Sequence, residues 1–134
     1  MIRFQLLSGS VSQTTGLAFL LLVHPFMIEA MLRVKALPGK RKEALEILRS
    51  LQKPLKLKHD CMECEIYESY GEVDWILYLE KWRTKEAMFR HIQSDLYRRL
   101  LSVMDLTEES PQLSFQELGE AKGMELVVEL REES

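Results

Sequence analysis

The chain has 134 residues, 46% of them hydrophobic and 29% charged, with a formal net charge of −3. That length and balance fit one globular domain with a core of its own and exclude a disordered chain. So mild a charge gives no general electrostatic reason to bind nucleic acid or an anionic membrane surface.

Residues 1–26 differ in character from the rest of the chain. Arg3 is their only formally charged residue, and the apolar run from Gly16 to Val23 is too short to span a bilayer. It could be the core of a signal peptide, but the positive start is thin and no A-x-A site comes after it. The segment reads as an N-terminal extension, or as a start placed upstream of Met27.

From Met27 the pattern is regular. "MIEAMLRVKA" alternates, with Ile28, Ala30, Leu32 and Val34 on one side and Glu29, Met31, Arg33 and Lys35 on the other; this predicts a strand with one buried face. Pro38-Gly39 turns the chain. "KRKEALEILRSLQK" then sets Ala44, Leu48 and Leu51 on one stripe, widened by Leu45 and Ile47, and Pro54 is expected to end this helix. "CMECEIYES" predicts a second strand, and Gly71 lies in a short hairpin connection. "VDWILYLEKW" is a third strand, apolar on both faces, and such a strand needs a layer on each side. Thr84 is the N-cap of a helix running to about Asp105, with Glu86 in its first turn and a bend near Ser94-Asp95. Pro111 opens a fourth strand, "PQLSFQEL", burying Leu113 and Phe115. "MELVVEL" alternates again through Met124, Leu126, Val128 and Leu130, and reads as an edge strand or an arm exchanged onto a second chain.

The two cysteines, Cys61 and Cys64, stand three apart in the second strand. In an extended chain they point to opposite faces with Cα atoms about 10 Å apart, beyond the ~7 Å reach of a disulfide. No second Cys or His pair is spaced to complete a zinc site. Reduced thiols are the reading, which implies a cytoplasmic protein and no bound metal.

The order βαββαβ is the ferredoxin-like split βαβ plan, so the fold class is α+β. One sheet face takes two helices. The other, expected to bear Arg33, Tyr78, Glu80 and Trp82, is left bare, and a symmetric homodimer is its simplest cover.

The stretches "RVKALPGKRKEALEIL", "HDCMECEIYES", "WILYLEKWRTKEAMFRHIQSDLYRRLL" and "PQLSF" together resemble the antibiotic biosynthesis monooxygenase domain family. The most specific run is Glu80-x-Trp82, then Glu86-Ala87, His91 and Ser94; Cys61 matches a cysteine that often opens the second strand. The resemblance covers residues 27–118, leaving 1–26 as an extension and 119–134 as a C-terminal strand or arm. It implies a dimeric α+β barrel. Enzymes of the family oxidise quinols or polycyclic phenols with molecular oxygen and no metal or flavin; others degrade haem, isomerise a small sugar phosphate, or have no assigned reaction. The chain departs from the family in three places. Leu96 stands where a second helix histidine is common. The position of the haem-ligating histidine falls at about Leu101, and His91 stands where the haem-degrading branch has tryptophan, so no haem is expected. The common tyrosine of the second strand falls near Cys64 or is displaced to Tyr67.

The implied chemistry is a monooxygenation in which the substrate is the reductant and no cofactor takes part. Removal of a phenolic proton gives an electron-rich anion that can reduce oxygen, and histidine is the base suited to that step. His91, Glu80 and Arg33 are the candidate catalytic residues, with Arg33 placed to pair with the developing anion and Glu80 needing either Arg33 or His91 as a partner. Trp82, Tyr78, Met31 and Tyr97 are the candidate walls for a small aromatic or quinol-like ligand, together with Ile76. Structural readings stand beside each. Trp82 can be a core anchor, Glu80 and Arg33 an ion pair fixing the dimer, Tyr97 a packing residue, and "KPLKLKHD" a solvated basic loop. Two other functions remain open: a non-catalytic ligand-binding or stress-response barrel, and an isomerase of a small phosphorylated metabolite.

Overall fold

A computed structural model describes residues 27–72 and 74–133; the N-terminal extension expected over residues 1–26 lies outside them. Strand β1 (Met27–Lys35) leads into helix α1 (Arg41–Lys56), and β2 (Cys61–Glu68) and β3 (Trp75–Trp82) form a hairpin. Helices α2 (Lys85–Ile92) and α3 (Asp95–Val103) come next, then a 3-10 turn at Met104–Leu106, β4 (Gln112–Leu118) and α4 (Met124–Glu133). The strands pair antiparallel in the order β2-β3-β1-β4. The crossover through α1 leaves one slot beside β1, and β3 fills it, as the split βαβ plan requires. Gly39 and Gly71 sit at the two expected turns with φ of 82° and 90°, a left-handed conformation that costs glycine little.

The core lies between the sheet and helices α1–α3. Ile28, Ala30, Leu32 and Val34 of β1 face it, as the alternation predicts, and meet Leu48, Leu51 and Leu55 of α1, all three fully buried. Each such leucine contributes about 1.5–3 kcal/mol by leaving water. Thr84 caps α2 by accepting the Ala87 N–H at 3.2 Å. The bend expected near Ser94 is a full break between α2 and α3. Among the described residues no helix is long and apolar enough to cross a membrane.

The structure corrects four expectations. Pro54 does not end α1, which continues to Lys56. Proline cannot donate to the carbonyl four residues back, but that carbonyl, on Ser50, accepts from Arg99 Nη1 at 3.3 Å instead. The segment read as a trailing strand is the helix α4, with Met124, Val127, Val128 and Leu130 exposed. A strand without a neighbour leaves its backbone groups unpaired, whereas a helix pairs them internally. Cys61 and Cys64 do not point to opposite faces: a register shift between Cys61 and Glu63 adds a residue to β2, and both free thiols are buried. Finally, Tyr78, Glu80 and Trp82 do not share the bare face with Arg33. Register pairs them with Leu32, Ala30 and Ile28, so they enter the core beneath the helices, and each is 1% exposed. The far face carries Met31, Arg33, Trp75, Leu77 and Leu79.

Candidate functional site

Glu80 is the centre of the buried polar group. It projects from the middle of the sheet, between Ala30 on β1 and Cys64 on β2. Its Oε2 accepts from the Tyr78 hydroxyl at 2.7 Å and its Oε1 from Trp82 Nε1–H at 2.8 Å. Tyr78 and Trp82 flank it at i−2 and i+2 on one strand, so the period of β3 alone brings three polar side chains to one face. His91 descends from the last turn of α2 and closes the group, its Nε2 lying 3.0 Å from Glu80 Oε2. A carboxylate has no hydrogen to give, so Nε2 carries the proton of that bond. The Cys64 thiol donates to the Tyr78 oxygen at 3.2 Å, extending the chain of hydrogen bonds to β2.

His91 is 1% exposed. Its ring lies 4.9 Å from Trp82, tilted by 30°, and stands nearly perpendicular to the Tyr97 ring at 5.1 Å. Ser94 fixes the backbone beneath it, donating both its hydroxyl at 2.6 Å and its N–H at 3.0 Å to the His91 carbonyl. The other ring nitrogen, Nδ1, is buried and has no hydrogen-bond partner. Buried polar atoms are nearly always paired, and an orphan calls for an explanation. Here the orphan is one end of an imidazole whose other end is held by a carboxylate, the geometry that orients a histidine to take up a proton.

Burial shapes the neighbours. It raises the Tyr78 phenol far above its ordinary range, and the Glu80 charge adds to that, so Tyr78 is a hydrogen-bond donor at every ordinary pH. Tyr97 is raised by the same two causes. The Cys64 thiol is pushed up to about 11 and that of Cys61 to about 12, burial being the first cause in both. Neither is a thiolate nucleophile near neutrality. Among the described residues no group of His, Cys, Asp and Glu could hold a metal ion.

Of the residues singled out in the sequence, the fold brings together His91, Glu80, Trp82, Tyr78 and Tyr97. It leaves Arg33 and Met31 on the other side of the sheet, where Arg33 stacks on Trp75. Arg33 therefore neither partners Glu80 nor faces an anion formed at His91. Cys64 joins the group without having been a candidate, because its face depends on a bulge that no alternation pattern reveals.

The family model for antibiotic biosynthesis monooxygenase matches residues 27–101. No curated protein sequence is significantly similar to the chain. Several solved structures share the fold. A conserved protein from Methanosarcina mazei is 16% identical with a TM-score of 0.64, over 69% of this chain and 93% of its own. A protein of unknown function from Bacteroides thetaiotaomicron, named as a candidate oxidoreductase, is 20% identical at 0.64, over 70% and 99%. A structure described as an antibiotic biosynthesis monooxygenase is 11% identical at 0.61, over 72% and 99%.

Proposed function

The chain belongs to the antibiotic biosynthesis monooxygenase family, and from that premise we propose that it oxidises a quinol or phenolic small molecule with molecular oxygen, using His91 as the base. The observation that carries this reading is the unpartnered, buried Nδ1 of an imidazole backed by Glu80.

Nδ1 takes the substrate's phenolic proton, and the imidazolium that forms is held by the Glu80 carboxylate at Nε2. The substrate anion then passes an electron to oxygen. In the completed monooxygenation one oxygen atom enters the product and the other leaves as water, the substrate supplying all four electrons. The Trp82 and Tyr97 rings exclude water from the reactive oxygen species. His91 is 1% exposed, so the reading requires that substrate gain access to Nδ1 from outside the closed core. The raised Tyr78 phenol keeps its proton and holds Glu80 in place.

The same reading includes a homodimer, formed where Met31, Leu77 and Leu79 lie on the far face of β1 and β3, and a cytoplasmic protein with reduced thiols. Light scattering tests the first: a well-folded monomer counts against it. The reaction is tested by oxygen uptake with a panel of quinols and polycyclic phenols. Turnover should vanish in His91→Ala while the circular dichroism spectrum is kept. Uptake that survives His91→Ala removes the histidine from the chemistry, and ligand-induced stabilisation without turnover makes the chain a binding protein.

A further inference from the structure

Glu80 divides its two oxygens unequally. Trp82 holds Oε1 at 2.8 Å, while Tyr78 and His91 both hold Oε2, at 2.7 and 3.0 Å. The histidine has the longest of the three bonds, to an oxygen that it shares. Bonds to a carboxylate draw their strength from its charge, and two donors on one oxygen divide that charge between them. Donors in a chain do the opposite: a hydroxyl that accepts a bond becomes a better donor. The Cys64 thiol donates to the Tyr78 oxygen at 3.2 Å, and so strengthens the phenol against the imidazole. Burial and the Glu80 charge hold the proton on Tyr78, which makes the competition constant. The titratable side chains facing Glu80 are Tyr78 on β3, Cys64 and Cys61 on β2, Tyr97 on α3 and His91 on α2, and of these only His91 can become positive.

We propose that Tyr78 is a positioning residue with a second task beyond fixing Glu80: by sharing Oε2 it limits the hold of Glu80 on His91, so that the imidazolium formed in the reaction can give its proton back. The inference rests on the reading of His91 as the base. In that reading the proton must leave again. Both hydrogens of the water formed come from the substrate, and the proton lodged on His91 is one of them. The same group therefore acts first as base and then as acid. A carboxylate serving His91 alone would favour the imidazolium more strongly, so that uptake of the proton would be no slower and its release would be. Tyr78 acts through Glu80, and Cys64 acts through Tyr78.

The test uses the full chain labelled with nitrogen-15 histidine, as wild type, Tyr78→Phe and Cys64→Ala. Tyr78→Phe keeps the ring and removes the competing bond. In the resting protein its His91 Nε2–H proton should move downfield, as a stronger bond to Oε2 requires, with the tautomer unchanged. Cys64→Ala leaves the phenol in place and weakens it as a donor. It should move the same proton the same way by less, and it carries the test if Tyr78→Phe does not fold. An unmoved or upfield signal in either folded variant overturns the proposal. With a quinol that the wild type turns over, Tyr78→Phe should lose roughly tenfold in kcat, the scale of one hydrogen bond. Loss of the phenolic proton, followed by stopped-flow absorbance, should be no slower. A variant that slows both steps has merely misplaced Glu80, and that result or an unchanged kcat overturns the proposal. If the wild type turns over no quinol, the reaction reading falls, and the resting spectrum alone decides whether Tyr78 competes with His91 for Oε2.

Discussion

Replacing Glu80 by glutamine changes one atom of the buried group and discriminates among the accounts of it. The carboxylate accepts three bonds at 2.7, 2.8 and 3.0 Å. The amide has one oxygen and one NH₂, and the three neighbours differ in what they can do about that. The Trp82 indole only donates, so the amide oxygen must turn to it. The NH₂ then faces the Tyr78 oxygen, which can accept, and His91 Nε2, which can accept only if its proton moves to Nδ1. All three bonds survive as neutral ones, each weaker than its charge-assisted counterpart by about 1 kcal/mol. The sum of roughly 3 kcal/mol is an upper bound, because a buried charge is also removed. A net loss of about 1–3 kcal/mol shifts a urea midpoint by about 1 M at an m-value of 1–3 kcal/mol/M. Activity should suffer far more, since the switched tautomer carries a proton on the nitrogen that must receive one; the same exchange behind the histidine of a serine protease costs about 10⁴-fold. Nitrogen-15 spectra of the imidazole report the tautomer directly. The reasoning fails if His91 is protonated at Nδ1 in the wild type, or if Glu80→Gln leaves both tautomer and turnover unchanged. Glu80→Ala, which orphans three buried donors, should cost about 3–5 kcal/mol.

Three other outcomes are expected. Because Cys64 and Cys61 are raised to about 11 and 12, the unfolded chain loses thiol protons from about pH 9 while the folded chain keeps them. Their stabilisation is thus complete below pH 9 and is lost as pH rises towards 11–12; urea midpoints from pH 8 to 10.5 should fall, and less steeply in a Cys61→Ala, Cys64→Ala double variant. Arg99→Ala should cost about 1 kcal/mol by freeing the Ser50 carbonyl, and less in a Pro54→Ala background, where the helix supplies its own donor; a double-mutant cycle without coupling refutes the substitution of one for the other. Deletion of residues 124–134 should change stability by less than about 1 kcal/mol, given the exposure of α4, and a larger drop in the melting transition shows that α4 docks.

Much of the architecture was legible because each element carries its own signal. Alternation gives β1, Thr84 gives the start of α2, and the turns need Gly39 and Gly71. The trailing segment was misread because Met124, Leu126, Val128 and Leu130 alternate as a strand would, and alternation cannot say whether a neighbouring strand exists to pair with. Pro54 was misread because its effect on α1 depends on Arg99, forty-five residues later. Both are tertiary facts without a local trace.

The site shows the same limit in its sharpest form. Glu80 was expected to need either Arg33 or His91 as a partner, and it is His91 that it meets. What could not be read was which side of the sheet they meet on. β3 is apolar on both faces, so its own pattern leaves the choice open. The charge of Glu80 argues for the wetter side, because a lone buried carboxylate is costly. Three donors reverse that argument, and two of them, Tyr78 and Trp82, lie at i−2 and i+2 on the strand itself. An acid flanked at that spacing by a phenol and an indole brings its own partners into whichever face it enters. Such a triplet on a strand beside a helix histidine is therefore better read as a core-facing group than as part of an exposed sheet surface. The cation that seemed to belong to it, Arg33, is separated from it by the parity of β1 alone: Ala30 and Leu32, not Arg33, share the face of Glu80 and Tyr78.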